Sequence, residues 1–298
     1  AAGILITLSM RFLSHAPVLF VDYPEEQSLM QIYSVFNQIL LQSKPSVATL
    51  YPQLTESMVR FYVLNKQRFS LEQQPQYVYS PRELSRWTRA LHAAFADRRD
   101  VTPDELVRLS AHEALRLFSD RLVTHEEKKW CQDRLDEVFT SVFAGLSPSV
   151  LEKPILYSRW LDGSYSSVDR GTLRTALAGR WVRELVEWGP DVVHSQCEFS
   201  TFFLARRIAE ELNVPLVLFD DVLEHVVRID RVLRQSLGHL LLVGESGAGK
   251  TVLTRFVAWM NAMNVFQIKV NRRYNLDSFD DDLRQVMKLA GVNGEQTC

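Results

Sequence analysis

Eight consecutive residues, Gly244-Glu245-Ser246-Gly247-Ala248-Gly249-Lys250-Thr251, carry the spacing G-x-x-x-x-G-K-T. Their types converge on one chemistry, the holding of phosphate. Gly244 and Gly249 let the backbone turn tightly and bring successive N–H groups round phosphate oxygens, where a Cβ would obstruct. Lys250 would meet the β- and γ-phosphates, and the Thr251 hydroxyl would take a place on Mg²⁺. A helix starting at the end of the loop would add unpaired N–H groups and the positive end of its dipole. By accident the pattern arises in on the order of one chain per hundred of this length. The bland alternative is a glycine-rich turn with no ligand.

Such a loop needs a strand to enter it and a helix to leave it. The apolar run at residues 240–243 predicts the strand, and Leu253, Phe256, Val257 and Met260 recur at helical spacing. Residues 265–270 (Val-Phe-Gln-Ile-Lys-Val) then read as a second strand. Strand, loop, helix and strand in that order open a parallel α/β sheet.

Upstream the pattern is helical. An apolar run at 17–21 reads as a strand, after which Ser28 would cap a helix with Leu29, Ile32, Tyr33, Phe36 and Ile39 on one face. A second helix is expected from about Thr55, carrying Met58, Val59, Tyr62 and Leu64. A third starts at Ser80 with Pro81 in its first turn, and buries Leu84, Trp87 and Leu91. After a charged bend at 96–100, residues 103–137 read as continued helix. Residues 190–219 show a strand, helix, strand pattern without a glycine-rich turn. An amphipathic helix through Val222, Leu223, Val226, Ile229 and Leu233 leads into the loop, and 277–290 reads as a helix stopped by Gly291.

Composition narrows the class. With 298 residues and 46% apolar content the chain can bury a core, and its length suggests about two domains. The 34 Lys and Arg nearly balance the 36 Asp and Glu, so no global field favours nucleic acid or an anionic membrane. No stretch approaches the roughly 18 apolar residues that span a bilayer, and residues 3–10 lack the basic leader of a signal peptide. Cys131, Cys197 and Cys298 are scattered and odd in number, which fits buried thiols in a reducing compartment. The seven histidines show no metal-ligand spacing.

The strings around the loop resemble the cytoplasmic dynein heavy-chain family. Gly247-Ala248-Gly249-Lys250-Thr251, Thr254-Arg255-Phe256-Val257-Ala258-Trp259-Met260-Asn261, Phe266-Gln267-Ile268-Lys269-Val270 and Phe279-Asp280-Asp281-Asp282-Leu283-Arg284 are similar to its fourth AAA+ module. Arg11-Phe12-Leu13-Ser14-His15-Ala16-Pro17, Val21-Asp22-Tyr23-Pro24, Tyr79-Ser80-Pro81-Arg82-Glu83-Leu84 and the stretch from His112 to Leu122 are similar to the end of the third.

The resemblance implies an α/β plus all-α chain. Its parts would be a strand and helical lid at 1–100, a helical connector at 101–184, a βαβ-like insert at 185–213, and the start of a P-loop module at 214–298. It implies ATP and Mg²⁺ on residues 244–251. It also implies that Arg11 lies in the arginine-finger region and that Arg82 holds the sensor position of the lid, both acting on nucleotide held by the preceding module. Ser14 stands where the family often has a second Arg. The partners implied are neighbouring AAA+ modules and, through an intact heavy chain, light, intermediate and light-intermediate chains and microtubules in the cytoplasm. Mg²⁺-dependent hydrolysis needs an acidic strand after the loop, and none is read before Cys298. Two other functions stay open: a glycosyltransferase-like protein, since residues 190–196 and 202–207 resemble a family 4 glycosyltransferase βαβ unit, and a non-catalytic helical interaction module.

Overall fold

The computed structural model describes residues 11, 14–15, 17, 19–96, 98, 100–177, 219–235, 238–292, 294 and 296–298. It separates into two compact units, Ala1–Lys153 and Pro154–Cys298.

The first unit is helical: α1 (Glu26–Gln42), α2 (Tyr51–Arg68), α3 (Arg82–Phe95), α4 (Pro103–Ala114) and α5 (His125–Val142). Its centre is aromatic. Trp87 of α3 packs edge-on to Phe61 of α2 and Phe118, with Phe139 of α5 stacked near it. Trp87, Phe61, Phe118 and Phe139 are each fully buried.

Several expectations are corrected here. The described residues among 17–21 form no strand, and Leu19, Phe20 and Val21 face solvent; an apolar run becomes a strand only when a neighbour takes its backbone groups. Helix α1 begins at Glu26, ahead of Ser28, so the serine caps nothing. Its buried stripe is Leu29, Tyr33, Asn37, Leu40 and Leu41, while Ile32, Phe36 and Ile39 are exposed. Polar anchors turn the helix this way. Asn37 donates to Thr55 Oγ1 at 3.0 Å and the Tyr33 hydroxyl donates to the Pro81 carbonyl at 2.6 Å, so the side carrying them must face inward.

The stretch read as one helix over 103–137 is two helices. A π turn at Leu115–Ser119 ends the first, and Thr124 opens the second with a capping box. Thr124 Oγ1 accepts from Glu127 N–H at 3.2 Å while Glu127 Oε2 accepts from Thr124 N–H at 3.0 Å. The same carboxylate oxygen accepts from the Tyr77 hydroxyl at 2.8 Å, tying α5 to the segment before α3. Thr124→Ala is expected to lower stability by about 1 kcal/mol. Thr124→Ser should keep most of it, both read from urea midpoints.

In the second unit, β1 (Tyr157–Ser158) and β2 (Ser166–Ser167) pair antiparallel, with Tyr157 opposite Ser167. Residues 170–177 are helical, and α6 (Asp220–Leu233), α7 (Lys250–Met260) and α8 (Leu276–Met287) follow. The core joins Leu223, Val226 and Ile229 of α6 to Phe256, Val257 and Trp259 of α7, with Leu156 and Leu173. Asn275 caps α8, and the chain continues through Gly291 in a π turn at Lys288–Val292, so that glycine is not its stop.

The expected parallel sheet is present only as a beginning. Residues 240–243 and 265–270 run without a strand ladder, and Leu241 and Val243 are exposed. Among the described residues the pairing there is one parallel bridge, Asn264 with Thr297. Asn264 N–H donates to the Gln296 carbonyl at 2.8 Å and Cys298 N–H to the Asn264 carbonyl at 2.7 Å. A central parallel strand is defined by strands on both sides, and periodicity cannot supply the neighbours.

Helix α7 ends in a left-handed turn at Ala262, φ 52°. Ala262 N–H donates to the Trp259 carbonyl at 3.0 Å and Met263 N–H to the Ala258 carbonyl at 2.8 Å. This paired closure favours glycine at the left-handed residue. Ala262→Gly should therefore raise stability, by about 0.5–1 kcal/mol after the extra freedom of the unfolded chain is subtracted. A lower denaturation midpoint would contradict the reading.

Candidate functional site

The loop at 244–251 joins residue 243 to α7, with Gly249 as the residue before the helix. The first bond within the helix runs from Leu253 N–H to the Gly249 carbonyl at 2.9 Å. The N–H groups of Lys250, Thr251 and Val252 thus stand at the open end of an 11-residue helix. Residues 243–248 and Thr251 are exposed, and Gly249 and Lys250 are half-buried.

Backbone conformation marks two of the loop glycines. Gly247 and Gly249 have φ of 86° and 75°, where a side chain strains the backbone, although a Cβ would meet nothing within 4 Å at either. At Gly244 a Cβ would meet only ordinary contacts, the nearest being Lys250 Cδ at 3.9 Å. Neither Gly244 nor Gly249 is thus required by crowding from the protein's own atoms. The left-handed turns at Gly247 and Gly249 are the tight turning that glycine permits.

Lys250 turns back across the loop. Its Nζ donates to the Gly244 carbonyl at 2.9 Å and to the Glu245 carbonyl at 2.5 Å. The loop is thereby closed around an ammonium, and the same eight residues carry the Ser246 and Thr251 hydroxyls. Apart from the Glu245 carboxylate, the side chains here are donors or neutral, a set suited to a polyanion and to a cation carried with it. A shallow, open depression lined by Asp133, Asp136 and Glu137 of α5 is acidic and does not suit such a ligand.

Two family descriptions match this chain: "Dynein heavy chain, ATPase lid domain" over residues 36–128, and "P-loop containing dynein motor region D4" over residues 214–298. A cytoplasmic dynein heavy chain of Paramecium tetraurelia is 48% identical over 289 residues, 97% of this chain and 6% of the relative. The chain belongs to the dynein heavy-chain family. Cytoplasmic dynein heavy chains of Dictyostelium discoideum and Drosophila melanogaster are each 46% identical, over 98% and 97% of this chain and 6% of the relatives. The chain therefore spans about 6% of the length of these relatives.

These matches support a portion of the dynein motor and not the glycosyltransferase alternative. The 185–213 segment that suggested that alternative lies outside the described residues. The dynein P-loop region carries with it nucleotide binding as a general property.

Arg11 and Arg82 both lie in the first unit and are exposed. The Arg11 carbonyl accepts from Ser14 Oγ at 2.8 Å, and Arg82 opens α3 behind Pro81. Of the cysteines, Cys131 is buried, and burial pushes its thiol up to about 12, as for an inert core residue. Cys197 lies outside the described residues. Among the described residues no helix is long and apolar enough to cross a membrane.

Sequence reasoning missed one polar cluster at the far end of α7 from the loop. Asp230 of α6 is buried, and its Oδ1 accepts from Asn261 Nδ2 at 2.6 Å and from Arg234 Nε at 2.8 Å. Asn261 follows α7 directly. Nothing in the spacing of an Asp and an Asn 31 positions apart announces this contact.

Proposed function

We propose that residues 244–251 hold ATP with Mg²⁺, as part of a dynein-type motor ring in the cytoplasm. In this reading the loop amides and the start of α7 take the phosphates, Lys250 bonds the β- and γ-phosphates, and Thr251 directs its hydroxyl to Mg²⁺. Mg²⁺, held there by the Thr251 hydroxyl, would supply neutralisation of the phosphate charge. Arg11 and Arg82 serve a nucleotide on the preceding module, as finger and sensor. Binding would bias the ring between conformations. Neighbouring AAA+ modules, the light, intermediate and light-intermediate chains and microtubules are the partners of the whole heavy chain.

The observation that carries the reading is Lys250 Nζ held by the Gly244 and Glu245 carbonyls of its own exposed loop. A lysine so placed exchanges two neutral acceptors for phosphate oxygens without leaving the turn. Thermal unfolding with and without Mg²⁺ and ATP tests it. At a hundred times the dissociation constant, ATP should add about 2.7 kcal/mol. No ATP-dependent shift would favour the helical interaction module.

A further inference from the structure

Helix α7 has its two ends in different environments. The phosphate loop caps its start, where Lys250 and Thr251 are half-buried or exposed, while residues 256–260 at its end are buried. Beyond Met260 the chain is fastened by side chains. Asn261 donates to Asp230 at 2.6 Å, and its Oδ1 accepts from Trp160 Nε1 at 3.5 Å and from Arg234 Nη2. Arg234 also donates to Asp230 at 2.8 Å. One amide thus joins α7 to α6 and to the β1–β2 hairpin, whose connection contains Trp160. That hairpin is tied to α6 a second time, by Arg231 lying 4.3 Å over the Tyr165 ring.

Apolar packing between α6 and α7 is non-directional and would accept a small slide or rotation. The polar node would not. Asp230 is 3% exposed, so a displacement that pulled Asn261 and Arg234 away would leave a buried carboxylate without its donors. The 11 residues of α7 form a rod of about 16 Å whose start sits at the loop and whose far end cannot move without α6 and the hairpin.

From this we infer that Asn261, held on Asp230 and Arg234, is the joint that relays phosphate-loop occupancy to α6 and the Trp160 turn. Asn261 is a positioning residue: it touches no nucleotide and acts through α7. The inference rests on the nucleotide reading above.

The test uses the 298-residue chain with 5-fluorotryptophan at its six tryptophans, observed by fluorine NMR. Trp160→Phe identifies the Trp160 line. In the native chain that line should shift on addition of ATP and Mg²⁺, and the shift should saturate with the affinity measured directly by calorimetry. In Asn261→Leu the shift should be lost while ATP affinity stays within about twofold. Arg234→Gln, at a side chain 36% exposed, is the second variant should Asn261→Leu fold poorly, and it should weaken the response in the same direction. Saturable ATP binding without movement of the native Trp160 line would overturn the relay and leave the nucleotide reading standing. An unchanged shift in folded variants would do the same. Absence of ATP binding to the native chain would remove the nucleotide reading and the relay with it.

Discussion

Lys250→Ala is expected to weaken ATP and ADP binding about 100-fold while leaving the fold intact. The magnitude follows from the loss of about two hydrogen bonds to charged phosphate oxygens, at roughly 1.5 kcal/mol each. The fold should survive because Nζ bonds only the Gly244 and Glu245 carbonyls, both exposed to water once the ammonium is gone. AMP, which lacks the β- and γ-phosphates, should lose little. Thr251→Ala should act differently, removing most of the gain that Mg²⁺ brings while sparing metal-free binding. Calorimetric titration of the three nucleotides against native and variant chains separates these effects. Equal ATP affinity with and without Lys250 would end the phosphate-loop assignment.

Trp87→Ala should cost about 3–5 kcal/mol in the first unit, a large fraction of the roughly 5–15 kcal/mol that holds a typical domain. Trp87 is 0% exposed and makes ring contacts with Phe61, Phe118 and Phe139 at 6.2, 5.8 and 6.4 Å. Those rings come from α2, the π turn and α5, so the void opens where α3 meets the other elements. Its indole N–H finds no hydrogen-bond partner among the described residues. Trp87→Phe gives up that unsatisfied donor and should cost far less than alanine. Amide exchange followed by mass spectrometry should show peptides of α2 and α3 exchanging on the order of 10²–10³ times faster in the alanine variant. Unchanged protection in those peptides would show that Trp87 does not hold the cluster together.

Helices with strong local signals were legible. Leu84, Trp87 and Leu91 inward on α3, and Val222, Leu223, Val226 and Ile229 inward on α6, agree with the structure, although α3 starts at Arg82, two residues past the expected Ser80, with Pro81 just outside it. The buried face of α1 was misread because Ile32, Phe36 and Ile39 are more apolar than Asn37. The face is chosen by what the opposing surface offers, and Thr55 on α2 offers Asn37 a partner. The break before α5 was missed for a related reason: the apolar rhythm runs on through it, while Thr124 and Glu127 close a capping box that begins a new helix.

The eight residues of the phosphate loop are adjacent in the chain, so their order alone determined their types, their spacing and the helix that follows; local chemistry needs no distant partner. Tertiary structure decided which glycines turn left-handed, where the Lys250 ammonium rests, and that Asp230, Arg234, Asn261 and Trp160 meet at the far end of α7. It also decided that residues 240–243 and 265–270 form no ladder here. Hydrogen bonds between remote segments, and burial of a charge among them, depend on which surfaces come together in space, and no pattern read along one strand or helix contains its neighbour.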